Sequence, residues 1–137
     1  MQRNMLKGKI HGATVTEANV AYEGSITIDA DLMTASDVVP HEQVCVWSLT
    51  SGERLETYAI PGKAGSGEVC VNGAAAHKIR KGEVVIIATY VRLEEAEIKG
   101  HLPRVVFVDG QNRIKGSSRR SGHGESWRQA LPADGQW

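Results

Sequence analysis

The sequence predicts an all-β fold, a small barrel or sandwich, on three observations. Short runs rich in valine, isoleucine and aromatic residues recur along the chain and are divided by turn residues at intervals of about eight to twelve positions. No segment keeps a helical period long enough for more than a short helix. The 137 residues suffice for one domain with a single modest core.

Taken in order, Met5 to His11 alternates, with Leu6 and Ile10 on one face and Lys7, Lys9 and His11 on the other, as in a half-buried strand. Thr14 to Thr16 stays extended. Glu17 to Asn19 reads as a turn before a short extended piece, Val20 to Tyr22. Ser25 to Asp29 alternates again, Ile26 and Ile28 sharing a face, and Asp29 or Asp31 can cap a short helix that ends before Pro40. Gln43 to Leu49 and Arg54 to Ile60 form a hairpin around Thr50-Ser51-Gly52, with Arg54, Glu56 and Tyr58 on one side and Leu55, Thr57 and Ala59 on the other. Pro61 to Gly67 is a glycine-rich loop. Val69 to Val71 is a strand leading into Asn72-Gly73-Ala74-Ala75-Ala76-His77, where small residues after Asn–Gly suggest the opening turn of a helix whose free N–H groups can cradle an anion. Val84 to Val91 is the strongest strand, Leu93 to Leu102 can hold a helical turn, and Pro103 to Val108 is a last strand. From residue 115 to 137 there is no periodic apolar face, which predicts a disordered tail after a domain of residues 1–114.

Lysine plus arginine and aspartate plus glutamate both total 16, so no global field argues for nucleic acid or a membrane surface. The segment Met1 to Gly12 lacks the apolar core of a signal peptide, and the longest apolar run, Val84 to Ala88, is far too short to span a bilayer. Cys45 and Cys70 lie in strand patterns without metal-ligand spacing, which predicts reduced thiols, no metal site and a cytoplasmic location.

Three Gly–Ser pairs occur, at Gly24-Ser25, Gly65-Ser66 and Gly116-Ser117. The first stands just before a strand. There a serine hydroxyl can attack the preceding carbonyl to form an ester; β-elimination frees the upstream carboxylate, and the dehydroalanine left behind hydrolyses, with loss of ammonia, to a pyruvoyl group. Glycine suits the upstream position because, lacking a Cβ, it reaches the strained conformations that bring its carbonyl onto the hydroxyl. The other two pairs lie in a loop and in the tail, with no scaffold to align them.

Over residues 1 to about 108 the chain resembles the bacterial aspartate 1-decarboxylases, a pyruvoyl-dependent family that makes β-alanine for pantothenate synthesis. The resemblance is carried by MLKGKIH at 5–11, VTEANVAYEGSITID at 15–29, the VWSLTSGERLETYAI run at 46–60, VNGAAAH at 71–77 and GEVVIIA at 82–88. It implies a six-stranded double-psi β-barrel with short helices, assembled as a homotetramer. It also implies cleavage into a β chain of residues 1–24 and an α chain of 25–137, with Ser25 becoming the pyruvoyl cofactor. By matching position, Tyr58 is the proton donor and Thr57, Gly73, Ala74 and Ala75 are substrate contacts. Lys9 and Arg54 hold substrate carboxylates, and His11, Tyr22 and Asn72 support the site. The residue chemistry agrees, since a dicarboxylic substrate such as L-aspartate needs donors for the carboxylate it keeps, and an arginine fork supplies a bidentate grip. Two rivals stand beside this reading. A serine hydrolase using Ser25 with His11 or His77 lacks the G-x-S-x-G elbow. A non-catalytic barrel acting as a binding module would never cut.

Overall fold

The computed structural model describes residues 1–117. Nine strands form one continuous order, β2-β6-β3-β5-β4-β7-β1-β8-β9, so the all-β expectation holds. The strands are β1 (Gln2–Thr14), β2 (Glu17–Asn19), β3 (Ile26–Asp29), β4 (Gln43–Ser48), β5 (Arg54–Gly62), β6 (Val69–Asn72), β7 (Val84–Glu94), β8 (Arg104–Val108) and β9 (Ile114–Ser117). Most neighbours are antiparallel, while β1–β8, β2–β6 and β3–β5 run parallel. Nine strands are present where the resemblance implies six because short segments, among them three-residue β2 and four-residue β9, extend the order at either end.

Three local expectations are corrected. Glu17–Asn19 is a strand, because Glu17, Ala18 and Asn19 pair with Cys70, Val71 and Asn72, and the turn falls instead at Val20 to Tyr22. Ordered strand pairing runs past residue 114 into the expected tail, since β9 pairs with β8 through Ser117. Gly116-Ser117 therefore lies in a strand, and the remainder of the expected tail, residues 118–137, lies outside the described residues.

The core is built by the alternation read in the sequence. Ile10, Ile26, Ile28, Val44, Val46 and Ile87 are all at most 1% exposed and face one another, each contributing roughly 1.5–3 kcal/mol of burial. Helix α1 (Ala30–Ser36) closes one side: Asp29 caps it by accepting from the Asp31 N–H at 2.8 Å, and Leu32 and Met33 enter the core. Helix α2 (Glu95–Ile98) is a single turn held by a capping box between Glu94 and Glu97.

Two buried polar side chains tie the loops to this frame. The Asp29 carboxylate also accepts from Gly65 N–H at 3.0 Å and Gly67 N–H at 2.8 Å, pinning the glycine-rich loop. Asn112 accepts from Thr14 N–H and donates to the carbonyls of Thr14 and Gly67, at 2.7 to 2.9 Å. Cys45 and Cys70 are free thiols.

Candidate active site

The site forms where the turn after β2 delivers the chain into β3. Ser25 is 1% exposed and sits at φ 97°, a conformation that costs a residue with a Cβ about 1–3 kcal/mol. The surroundings hold it there. Gly73, at φ 68°, presses against the preceding residue so closely that a Cβ on it would stand 2.8 Å from both Cα and N of Gly24, and 3.0 Å from the Tyr22 carbonyl. Only glycine fits. The Ser25 carbonyl accepts from Asn72 N–H at 3.0 Å, continuing the β3–β6 ladder by one residue.

Beside Ser25 lies a cavity of about 280 Å³, at the small end for ligand sites. Its wall includes Gly24, Ser25, Leu55, Thr57, Asn72 and Ala75, with the exposed Glu56, Ala74 and Lys78 also contributing. The cradle expected after Asn72 is a short 3-10 helix, Gly73–His77, whose first N–H groups have no partner within the helix.

The parallel pairing of β3 with β5 begins at Ile26 and Ala59, so the two residues before each run alongside one another. This brings Thr57 to the cavity and sets the Tyr58 ring beside Gly24, with Cε1 and the hydroxyl oxygen each 4.0 Å from where a Gly24 Cβ would be. Thr57 and Tyr58 leave the strand on opposite sides, Thr57 into the cavity that Gly24 and Ser25 line and the Tyr58 ring beside Gly24. Tyr58 remains 40% exposed.

Hydrogen bonds organise the floor. The Asn72 side-chain amide donates to Ser25 Oγ at 3.3 Å and to Thr27 Oγ1 at 3.0 Å, while its oxygen accepts from the Cys70 thiol at 3.1 Å. Burial pushes the Cys70 thiol pKa up, and the charges of Glu68 and Glu17 push it the same way.

Lys9, His11 and Arg54 are elsewhere. Register rows His11–Ile86–Trp47–Arg54 and Lys9–Ala88–Cys45–Glu56 place them on the face of the sheet turned away from the core, and none of the three is in the cavity wall. Lys9 Nζ lies 3.2 Å from His11 Nδ1, and burial holds the Lys9 pKa below its ordinary value. The His11 ring packs on Phe107 with centroids 5.5 Å apart, and the Arg54 guanidinium stacks on Trp47 at 4.4 Å. Tyr22 is largely exposed, 57% of its surface being open.

A sequence profile described as aspartate decarboxylase matches residues 1–115. The chain is 56% identical over 114 residues to a protein of Myxococcus xanthus (strain DK1622) named aspartate 1-decarboxylase, covering 83% of this chain and 88% of that one. It is 58% identical over 113 residues to the protein of that name from Syntrophobacter fumaroxidans (strain DSM 10017 / MPOB), covering 82% and 91%. The chain belongs to the aspartate decarboxylase family. The strand-rich architecture is consistent with the family's double-psi barrel.

Within that family frame, two side chains at the site escape the sequence reading. Cys70 reads there only as a reduced thiol, although its two-residue spacing from Asn72 on a strand would have put both on one face. Lys78 has no role there; the short helix that begins at Gly73 carries it to the cavity, where Glu53 holds its Nζ at 3.4 Å. Among the described residues no group of three or more His, Cys, Asp or Glu side chains is placed to hold a metal, and no helix is long and apolar enough to cross a membrane.

Proposed function

We propose that this chain cuts its own Gly24–Ser25 bond and then decarboxylates L-aspartate to β-alanine and carbon dioxide, a supply step for pantothenate synthesis. The observation that carries the reading is Ser25 itself: buried, at positive φ, with Gly73 driven against the residue before it and a small cavity alongside. A structural serine has no need of that strain. A mere binding module would also be free to place an ordinary residue there.

In self-cleavage, Ser25 Oγ adds to the Gly24 carbonyl carbon, the C–N bond breaks, and the hydroxyl proton passes to the released amine. Thr57 is the neighbouring hydroxyl able to donate to the oxygen that gains charge at Gly24. Asn72 fixes the direction of Ser25 Oγ. Elimination then expels the Gly24 carboxylate.

The residues around position 25 fit a pyruvoyl group: the position is dry, Asn72 offers a donor to an oxygen there, and the cavity admits a small substrate. Such a group supplies an electron sink for the pair left when carbon dioxide departs. The chain's own residues do the rest. The N–H groups of Gly73, Ala74 and Ala75 hold one substrate carboxylate, and Tyr58 delivers a proton to the carbon that has lost the other. Lys9, with His11 beside it, and Arg54 would meet the substrate from the outer face of a neighbouring copy in a homotetramer. Tyr22 lines the approach. The cytoplasm suits a chain whose two thiols stay reduced.

Intact mass measurement tests this. Matured protein is expected to give a fragment ending at Gly24 and another beginning at position 25, lighter by one ammonia than a serine-terminated chain. Ser25→Ala is expected to fold and remain uncut. A full-length parent after long incubation, or an intact serine amine at the new terminus, would overturn the reading.

A further inference from the structure

We propose that Cys70 is a positioning residue for self-cleavage: its S–H holds the Asn72 side-chain amide in the one orientation that donates to Ser25 Oγ. The proposal rests on the self-processing reading and extends it one residue further from the scissile bond.

A side-chain amide is nearly symmetric in shape, so its two ends can exchange by a flip with little steric cost. Its neighbours decide which end points where. On one side of Asn72 stand two hydroxyls, Ser25 Oγ at 3.3 Å and Thr27 Oγ1 at 3.0 Å. Hydroxyls both donate and accept, so neither selects an orientation. On the other side stands Cys70 Sγ, 3.1 Å from Asn72 Oδ1. A protonated thiol beside the amide favours the oxygen end, because sulfur accepts only weakly. That leaves the NH2 end facing Ser25.

The backbone makes this arrangement a property of the strands. Cys70 pairs with Thr27 across β3–β6, and Asn72 is two residues further along the same face, opposite the residue before Ile26. The thiol is held protonated by its setting. It is half-buried, Glu17 pairs with it from β2, Glu68 is nearby in sequence, and β3 sets the uncharged Thr27 directly opposite it, with Asp29 two residues further on. Without the S–H the amide is released to flip. Its oxygen then accepts the Ser25 hydroxyl proton and turns Oγ away from the Gly24 carbonyl.

The experiment follows fragment formation by intact mass in freshly translated precursor, comparing the parent with Cys70→Ser, Cys70→Ala and Cys45→Ala. Cys70→Ala is expected to cleave about tenfold more slowly, the scale of one lost hydrogen bond. Cys70→Ser puts in a hydroxyl that accepts as well as it donates and so does not select the amide orientation; it is expected to cleave nearly as slowly as Cys70→Ala, while Cys45→Ala matches the parent. Cleavage of Cys70→Ala or of Cys70→Ser at the parental rate overturns the proposal. Should Cys70→Ala fail to fold, the parent and Cys70→Ser are compared across pH. Ionisation of the thiol removes its donor and a serine hydroxyl does not ionise, so the ratio of parental to serine-variant rate is expected to fall as pH rises. A constant ratio overturns the proposal. Failure of the wider reading looks different: there the parent itself never cuts.

Discussion

At the scale of single residues, the geometry at Gly24–Ser25 separates the two reactions proposed for this chain. Thr57 lines the cavity beside Ser25, whereas the Tyr58 ring lies against Gly24 from the opposite face of the strand. A neutral hydroxyl beside the scissile bond suits cleavage; a phenol hydroxyl suits delivery of a proton after decarboxylation. Tyr58→Phe is therefore expected to process normally yet release carbon dioxide from aspartate at least about 10²-fold more slowly, the usual scale for a lost general acid. Thr57→Val is expected to be defective first in processing. Gel-resolved fragment formation and carbon dioxide release, followed in the same preparations, check both. Normal turnover by fully processed Tyr58→Phe would move the proton-donor role to another group.

At the scale of elements, the loop between β5 and β6 is fastened to helix α1 through one carboxylate. Burial raises the Asp29 pKa, but the N–H bonds from Gly67, Asp31 and Gly65, with the Arg113 charge, outweigh it and leave it below the ordinary carboxylate value. A lowered folded-state pKa means that Asp29 contributes stability at pH values above its unfolded pKa of about 3.9 and loses it as pH falls through the folded value. Asp29→Asn puts an amide NH2 where an N–H already donates, at an expected cost of roughly 1–3 kcal/mol near neutral pH. Thermal unfolding of parent and variant is expected to show a constant gap from about pH 5 to 8 that narrows below about pH 4. A gap that persists unchanged into acid would show that Asp29 acts by shape and not by charge. The same element explains a misreading in the sequence. Glu17–Asn19 has turn-like composition, and only pairing with Cys70 to Asn72 makes it a strand.

At the scale of the whole molecule, the residues proposed to act divide between two faces of one sheet. Gly24, Ser25, Thr57 and Asn72 gather at the cavity, while Lys9, His11 and Arg54 occupy the outer face around Trp47, Ile86 and Cys45. A dicarboxylic substrate seated beside Ser25 meets Lys78 from its own chain but not Arg54. A site shared between copies reconciles this with the roles expected from the family resemblance. Co-expression of Ser25→Ala with Arg54→Ala, each inactive alone, is then expected to restore up to about a quarter of parental activity, since random mixing pairs an intact Ser25 with an intact Arg54 at about one site in four. Carbon dioxide release from the purified mixed assembly is the measurement. No recovery in a verified mixed assembly would place both residues in one chain's site.

The alternation of Ile26 with Ile28, of Val44 with Val46, and of Ile10 against Lys9 and His11 was enough to determine an all-β chain with these residues inward, because burial of apolar side chains imposes a period of two on a strand. The pairing of Gly24 with Ser25 ahead of such a strand, together with VNGAAAH, marked the residues that come to line one cavity. Local pattern could go no further. That Gly73 compresses Gly24, that Asn72 reaches Ser25, that Lys78 arrives at the cavity and that Lys9 and Arg54 sit on the far face all depend on which strands pair and in what register. Those contacts join residues as far as 49 positions apart, as between Gly24 and Gly73, and their free energy exists only once the loops between them have been closed.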